Sequence, residues 1–80
     1  MNYQCPCCEY LMLSDNPPGT FEIFPVCHRE DDDVQYNNPD IAGEANEVCL
    51  NEARNNFKVF GASSHRYTKN VRPPLPQEMP

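Results

Sequence analysis

The sequences CPCC, at residues 5–8, and FPVC, at residues 24–27, decide the fold of this 80-residue chain. Both have proline at the second position and cysteine at the fourth, and the proline ring fixes the backbone for a tight turn. In zinc knuckles, a turn with two cysteines at this spacing aims both thiolates at one tetrahedral ion. The first knuckle (residues 5–8) supplies Cys5 and Cys8, and the second knuckle (residues 24–27) supplies Cys27. These three cysteines are the candidate ligands of a zinc ion.

Three thiolates do not complete a structural zinc site, which takes four ligands. Phe24 stands where the second knuckle would supply the fourth. The fourth ligand could be Cys7, His28 or Cys49, and Cys49 starts a predicted helix whose dipole favours a thiolate. The alternative is that Phe24 fills the space of the lost ligand and the cysteines are small buried or idle thiols. Metal binding and metal-free packing both stay open at this point.

The segments next to the knuckles predict a small hairpin. Residues 10–13 are a continuous apolar run, and residues 14–19 have the composition of a turn. Residues 20–24 alternate between apolar and other side chains, as a half-buried strand does. We therefore expect residues 10–13 and 20–24 to pair within a ribbon-like hairpin over residues 3–27.

An amphipathic helix is predicted after the middle of the chain. Four apolar residues recur at intervals of three, four and three positions: Leu50, Ala53, Phe57 and Phe60. This spacing places them on one stripe of an α-helix. Gly61 follows the stripe as a C-terminal cap, and Cys49 stands at the capping position before it. The helix should span about residues 49–60.

The acidic segment (residues 28–47) is polar and is broken by Pro39 and Gly43. We expect a long loop there with little regular structure, anchored by Val34, Tyr36 and Ile41. Residues 73–80 are rich in proline, which predicts an extended or mobile tail. The predicted fold is α+β: a zinc-ribbon-like β-hairpin, a long acidic loop and one amphipathic helix, in a single domain of residues 1–72 followed by the tail.

Charge is distributed unevenly along the sequence. Residues 1–52 carry eleven carboxylates and one cation, Arg29, whereas residues 53–72 carry five cations and no acid. The two halves could simply attract each other, with the net charge of −6 keeping the protein in solution. Alternatively, the acidic segment offers a surface to a basic partner, with these candidate contacts: Glu30, Asp31, Asp32, Asp33, Tyr36 and Asp40. The negative net charge argues against nucleic acid as the main ligand.

Cysteine usage indicates a reducing compartment. The chain has five cysteines, three of them within residues 5–8, which does not match the even, spaced framework of a secreted disulfide scaffold. The first ten residues have no basic start followed by an apolar stretch, and no window approaches the roughly 18 apolar residues of a membrane span. We expect a cytoplasmic protein with no membrane partner, stabilised by a metal because its core is small.

The sequence resembles the bacterial cysteine-rich CPCC family of small proteins. The resemblance covers most of the chain through these stretches: CPCC at 5–8, YLMLSDNPPGTFEIFPVC at 10–27, EDDDVQ at 30–35, NNPD at 37–40, GEAN at 43–46, LNEARNNFKVFGA at 50–62 and KNVRPP at 69–74. It implies a four-cysteine zinc site, with a second C-P-x-C knuckle followed by aromatic residues, Ser at the helix start and Cys after the helix. This chain has Phe24, His28-Arg29, Cys49 and Ser63 at those places.

The function we expect is non-catalytic binding of a protein partner. The resemblance suggests an immunity-type inhibitor whose acidic surface neutralises a basic toxin or nuclease. One alternative is a zinc-ribbon nucleic-acid-binding accessory protein that uses the cations of residues 53–72. Another is a thiol redox sensor at Cys5 and Cys8, although redox C-x-x-C motifs open a helix and this one does not. No hydrolytic triad is recognisable, so we predict that the protein is not an enzyme.

Overall fold

The computed structural model describes residues 3–13 and 15–80. Its regular elements, in chain order, are β1 (Tyr3–Gln4), β2 (Leu11–Leu13), α1 (Asp33–Asn37), α2 (Leu50–Phe60) and two 3₁₀ helices (His65–Tyr67 and Pro76–Glu78). The predicted α+β class is confirmed. The domain start predicted at Met1 and the first residue of the predicted turn, Ser14, lie outside the described residues.

The first knuckle forms the end of a hairpin. β1 and β2 pair antiparallel, with Tyr3 opposite Leu13. At the base of the turn, the Cys5 N–H donates to the Tyr10 carbonyl at 2.9 Å, and the Glu9 N–H donates to the Cys5 carbonyl at 2.9 Å. Glu9 has a φ of +72°, a left-handed conformation that reverses the chain within four residues.

The second knuckle repeats this arrangement bond for bond. The Phe24 N–H donates to the Arg29 carbonyl at 2.9 Å, and the His28 N–H donates to the Phe24 carbonyl at 2.6 Å. His28 has a φ of +61°, as Glu9 has in the first knuckle. The predicted repeat is therefore present in the backbone, and Phe24 stands at the place that Cys5 holds in the first knuckle.

The expected pairing of residues 10–13 with residues 20–24 is wrong. β2 pairs with β1, and the second segment instead pairs across its own knuckle, where Ile23 forms an antiparallel bridge with Glu30. Each segment thus closes a loop of six residues around its own knuckle, residues 5–10 in the first and residues 24–29 in the second.

α2 confirms the predicted helix and its caps. The Cys49 sulfur accepts from the Glu52 N–H at the N-terminus, and Gly61 ends the helix with a φ of +81°. Leu50 and Ala53 are buried on the predicted stripe. They pack in one core with the four knuckle cysteines and three larger side chains: Leu13, Phe24 and Val26.

The acidic segment is more ordered than expected. α1 lies inside it, and Asp32 caps α1 by accepting from the N–H groups of Val34 and Gln35. The expected anchors are wrong, since Val34, Tyr36 and Ile41 are exposed. The buried anchor is Gln35, whose side-chain amide donates to two carbonyls further along the segment. A polar side chain is buried here because the loop backbone needs partners that an apolar one could not supply.

The proline-rich tail folds back on the domain. Its 3₁₀ helix packs against β2, and the buried Glu78 carboxylate accepts from both terminal nitrogens of Arg72 at 2.8 Å. These two charge-assisted hydrogen bonds fix residues 73–80, which the sequence predicts to be extended or mobile, against the domain. Among the described residues, no helix has the length and apolar character needed to cross a membrane.

Candidate metal centre

Three cysteine sulfurs meet between the knuckles. The thiol cluster (Cys5, Cys8 and Cys27) has its three sulfur atoms within 4.8 Å of one another, and the Cys5 and Cys27 sulfurs are 3.7 Å apart. Two sulfurs on a tetrahedral ion with bonds of about 2.3 Å would be about 3.8 Å apart. The Cys5 and Cys27 sulfurs are therefore already at the spacing that a single thiolate-bound ion requires, and the Cys8 sulfur lies within 4.8 Å of both.

Backbone amides of the first knuckle point at the cluster. The Cys7 N–H donates to the Cys5 sulfur at 3.4 Å, and the Tyr10 N–H interacts with the Cys8 sulfur. Such donors favour the charged thiolate over the neutral thiol. The fixed turn thus supplies a polar environment for negative sulfur in an otherwise apolar core.

The three thiols do not ionise alike. Hydrogen bonds from Cys27 and Cys5, then from backbone amides, lower the pKa of Cys8 to about 4. Burial first, and then the neighbouring sulfurs, raise the pKa of Cys5. For Cys27, the hydrogen bond with Cys5 lowers the pKa, but bonds with Cys7 and Cys8 together with burial raise it overall. The Cys8 thiolate is therefore stabilised by the Cys5 and Cys27 thiols, and a metal cation would displace the protons that these two thiols carry.

Arg29 places a buried cation beside the cysteines. Its side chain is 3% exposed; Nη1 donates to the Val48 carbonyl at 2.8 Å, and Nη2 has no hydrogen-bond partner among the described residues. Burial lowers the pKa of Arg29 overall, although charge on the cysteines, Cys7 and Cys27 foremost, acts to raise it. Because a guanidinium stays protonated in proteins, Arg29 offsets negative charge on the sulfurs. The sequence offered no signal for this role.

The candidates for a fourth ligand lie elsewhere. The His28 ring packs on Tyr67 with 4.5 Å between centroids, and the Cys49 sulfur is occupied as the cap of α2. Cys7 interacts with Cys27, but its sulfur is not within 4.8 Å of all three cluster sulfurs. Within residues 3–13 and 15–80, His, Cys, Asp and Glu side chains add no fourth atom to the cluster. The donor set fits three ligands of a zinc ion and lacks the fourth.

Two of the proposed partner contacts have structural roles instead. Asp31 is buried and accepts from the Thr20 N–H at 2.9 Å and from its hydroxyl at 2.8 Å. Asp32 is buried as the cap of α1 and also accepts from the Ala45 N–H at 2.9 Å. These carboxylates face inward because they accept hydrogen bonds from Thr20 and from backbone N–H groups of the acidic segment.

The other proposed contacts remain at the surface. Asp33, Tyr36 and Asp40 are exposed and Glu30 is partly buried. Asp40 also accepts from the Asn51 side chain at 2.8 Å. Four residues of the predicted set thus remain available to a partner.

The attraction expected between the acidic and basic halves is limited. Among the described residues, it is represented by one ion pair, between Arg66 and Glu47 at 2.8 Å, and both side chains are largely exposed. Exposed pairs of this kind contribute little to stability. The charge asymmetry between the two halves is therefore not neutralised by ion pairs among the described residues.

These features define a small α+β protein in which two knuckles bring together three thiols as a candidate metal site. The sequence profile of the family described as cysteine-rich CPCC matches residues 3–78. The chain therefore belongs to the cysteine-rich CPCC family. No curated protein matches it.

Proposed function

We propose that this protein is a non-catalytic metal-binding module in which Cys5, Cys8 and Cys27 hold one thiophilic ion, either the Zn²⁺ expected from the sequence or Cu(I). Both ions favour cysteine thiolates. The observation that supports this is the convergence of three sulfurs, two of them 3.7 Å apart, from turns with matching backbone hydrogen bonds. An ion bound there would link the two knuckles and so stabilise the packing of the first knuckle's hairpin on the second knuckle.

Native mass spectrometry under anaerobic conditions tests this proposal. We expect the wild-type chain to bind one thiophilic ion, Zn²⁺ or Cu(I), and Cys8→Ser to lose it. Cys49→Ser is the matched control, since it also removes one thiol, and serine is a good N-cap for α2. A wild-type chain that binds neither ion, or a Cys49→Ser chain that loses it as Cys8→Ser does, would refute the assignment.

A second candidate function is recognition of a basic protein by the acidic segment, as expected of an inhibitor of the immunity type. Residues 30–53 contain eight carboxylates and no Lys or Arg. Within them, Val34, Tyr36 and Ile41 expose 40%, 39% and 40% of their surface. Exposed aromatic and aliphatic side chains surrounded by charge are typical of interfaces, and the carboxylates would speed the approach of a cationic partner.

Quantitative affinity capture tests this second function. A basic protein retained by the wild-type chain should be lost with Tyr36→Ala and with Asp33→Lys, and its retention should weaken as salt rises. Val59→Ala is the control, because Val59 is 72% exposed on α2, outside the acidic segment. Equal capture by all four chains would exclude this surface as the interface.

A further inference from the structure

The two knuckles identify the position of the missing ligand. In the first knuckle, Cys5 carries the sulfur at the turn's first position, and its N–H donates to Tyr10 at 2.9 Å. In the second knuckle, Phe24 holds the equivalent position, and its N–H donates to Arg29 at 2.9 Å. The fourth residue of each turn, Cys8 or Cys27, contributes its sulfur to the cluster. Because the backbones correspond, position 24 is the place from which the second knuckle would supply a fourth ligand, at the fourth corner of the site.

We propose that Phe24 closes this fourth corner, so that the chain forms a three-coordinate thiolate site suited to Cu(I) instead of a four-coordinate Zn²⁺ site. This inference rests on the proposed metal-binding function and specifies the ion. Zn²⁺ in structural sites is almost always tetrahedral with four protein ligands. Cu(I) is a soft ion that thiolates select, and three sulfurs in a plane satisfy it.

Burial keeps solvent from acting as the fourth ligand at this corner. Phe24 is 1% exposed, and Cys5 and Cys27 are fully buried. The aromatic ring belongs to the apolar core with Leu13 and Val26. A zinc ion would therefore meet a phenyl ring where it needs a fourth donor, whereas a three-coordinate ion has no such requirement.

The other potential donors are held by contacts of their own. The Cys49 sulfur accepts from the Glu52 N–H at 3.4 Å, and its movement would remove the cap of α2 at a cost of about 1 kcal/mol. The His28 ring packs at a tilt against the Tyr67 ring, with 4.5 Å between the centroids. The Cys7 sulfur interacts with Cys27 but lies outside the group of three sulfurs that are all within 4.8 Å of one another.

A change at position 24 gives the decisive experiment. Phe24→Cys restores the fourth thiol, and Phe24→Ser is its matched control because serine is nearly the same size but does not supply a thiolate. Competition with chromophoric chelators, under anaerobic conditions, measures the affinities of both variants for Zn²⁺ and Cu(I). We expect Phe24→Cys to bind Zn²⁺ at least about 100-fold more tightly than Phe24→Ser, since even outer-shell partners change affinity 10–100-fold.

The affinity for Cu(I) should differ less than about tenfold between these variants, because three sulfurs already satisfy that ion. A Zn²⁺ affinity that is equal in Phe24→Cys and Phe24→Ser would overturn the inference. So would an equal gain in affinity for both ions.

X-ray absorption spectroscopy uses the wild-type chain, so its result does not depend on whether a variant folds. The Cu(I)-loaded protein should show three sulfur neighbours and no fourth atom, whereas a lighter fourth neighbour around Zn²⁺ would show that solvent reaches the corner and would reject its closure by Phe24. Four sulfurs around Zn²⁺ would mean that Cys7 or Cys49 is recruited; the metal-binding function would then stand and the three-coordinate site would be rejected. A wild-type chain that binds neither ion would reject both.

Discussion

The sulfur atoms of Cys5 and Cys27 lie 3.7 Å apart although 22 positions separate the two residues. Each sulfur is delivered by a turn whose shape is fixed by its own proline and by a left-handed residue just after the turn. The contact between the two sulfurs therefore depends on how the two rigid turns pack against each other. The apolar core around the turns stabilises that packing. A bound ion would add a link between parts of the chain that meet only in the folded state.

Metal loading is expected to stabilise the fold. If the ion binds the native state alone, a free concentration about 1,000 times the dissociation constant raises the free energy of unfolding by about 4 kcal/mol. Denaturant titration with and without Zn²⁺ or Cu(I), in the absence of oxygen, measures the difference. The stabilisation should vanish in Cys27→Ser and persist in Cys49→Ser. An unchanged unfolding midpoint on loading of the wild-type chain would contradict this expectation.

The parts of the fold that sequence predicts well are those governed by short-range rules. The proline turns, the apolar stripe of α2 and its end at Gly61 depend on residues within one or two turns of each other, so their pattern is visible in the chain. The three cysteines of the site follow from the same turn chemistry. The α+β class needed no more than this.

The missed features depend on contacts between distant residues. α1 is only five residues long and is held by Asp32 and Gln35, whose side chains bond to the chain near residues 41–46. Nothing in a local pattern distinguishes such a buried carboxylate or amide from a solvated one. In the sequence, Arg29 is likewise a single cation in an acidic stretch, but in the structure it lies buried next to the cysteines.

Gln35 should be essential for the order of the acidic segment. Its amide donates to the carbonyls of Ile41 at 3.1 Å and Asn46 at 3.0 Å, and its oxygen accepts from the Asn46 N–H at 3.2 Å. Gln35→Leu keeps the volume but leaves these backbone groups without partners, which should lower the free energy of unfolding by about 2 kcal/mol. Asn55→Ala, at an exposed position of α2, should change it by less than about 0.5 kcal/mol. Similar denaturant midpoints for the two variants would show that the amide contributes little.

Acid should weaken the fold through two carboxylates whose pKa values are depressed. Hydrogen bonds from Arg72, then from a backbone amide, lower the pKa of Glu78 to about 2. Burial acts to raise the pKa of Asp32, but backbone N–H groups, with that of Ala45 foremost, lower it overall. Unfolded carboxyl groups titrate near pH 4. Their stabilising contribution is therefore complete above that pH and is lost as the pH falls toward 2.

Glu78→Gln isolates one of these groups. At pH 7 it should lower the free energy of unfolding by about 1 kcal/mol, because the ion pair with the partly exposed Arg72 is weakened by solvent. The difference from the wild-type chain should shrink as the pH falls from about 4 toward 2, because protonation removes the charge of Glu78 from a growing fraction of the molecules. Glu44→Gln, at an exposed position, is the control for the loss of one carboxylate. A destabilisation by Glu78→Gln that is the same at pH 7 and pH 2 would rule out the carboxylate charge as its cause.

The metal-free protein should form a disulfide between Cys8 and one of its two cluster partners when treated with hydrogen peroxide. The Cys8 thiolate attacks the peroxide oxygen to give a sulfenic acid and water after proton transfer, and the sulfur of Cys5 or Cys27 then displaces water to form the disulfide, so two thiols and one peroxide yield one disulfide and two waters. The sulfurs need to approach from within 4.8 Å to about 2.05 Å. Peptide mapping should find Cys8 joined to Cys5 or to Cys27, with one disulfide per chain.

A bound ion should slow this oxidation, because its thiolates are then engaged in metal–sulfur bonds. The measurement is the rate of disulfide formation with and without saturating Zn²⁺ or Cu(I), followed by mass spectrometry. Cys8→Ser should not form this bridge, while Cys49→Ser should form it at the wild-type rate. A disulfide that instead joins Cys7 to Cys49 as the main product would show that the knuckles separate before the thiols react, and the preformed cluster would not persist in the metal-free chain.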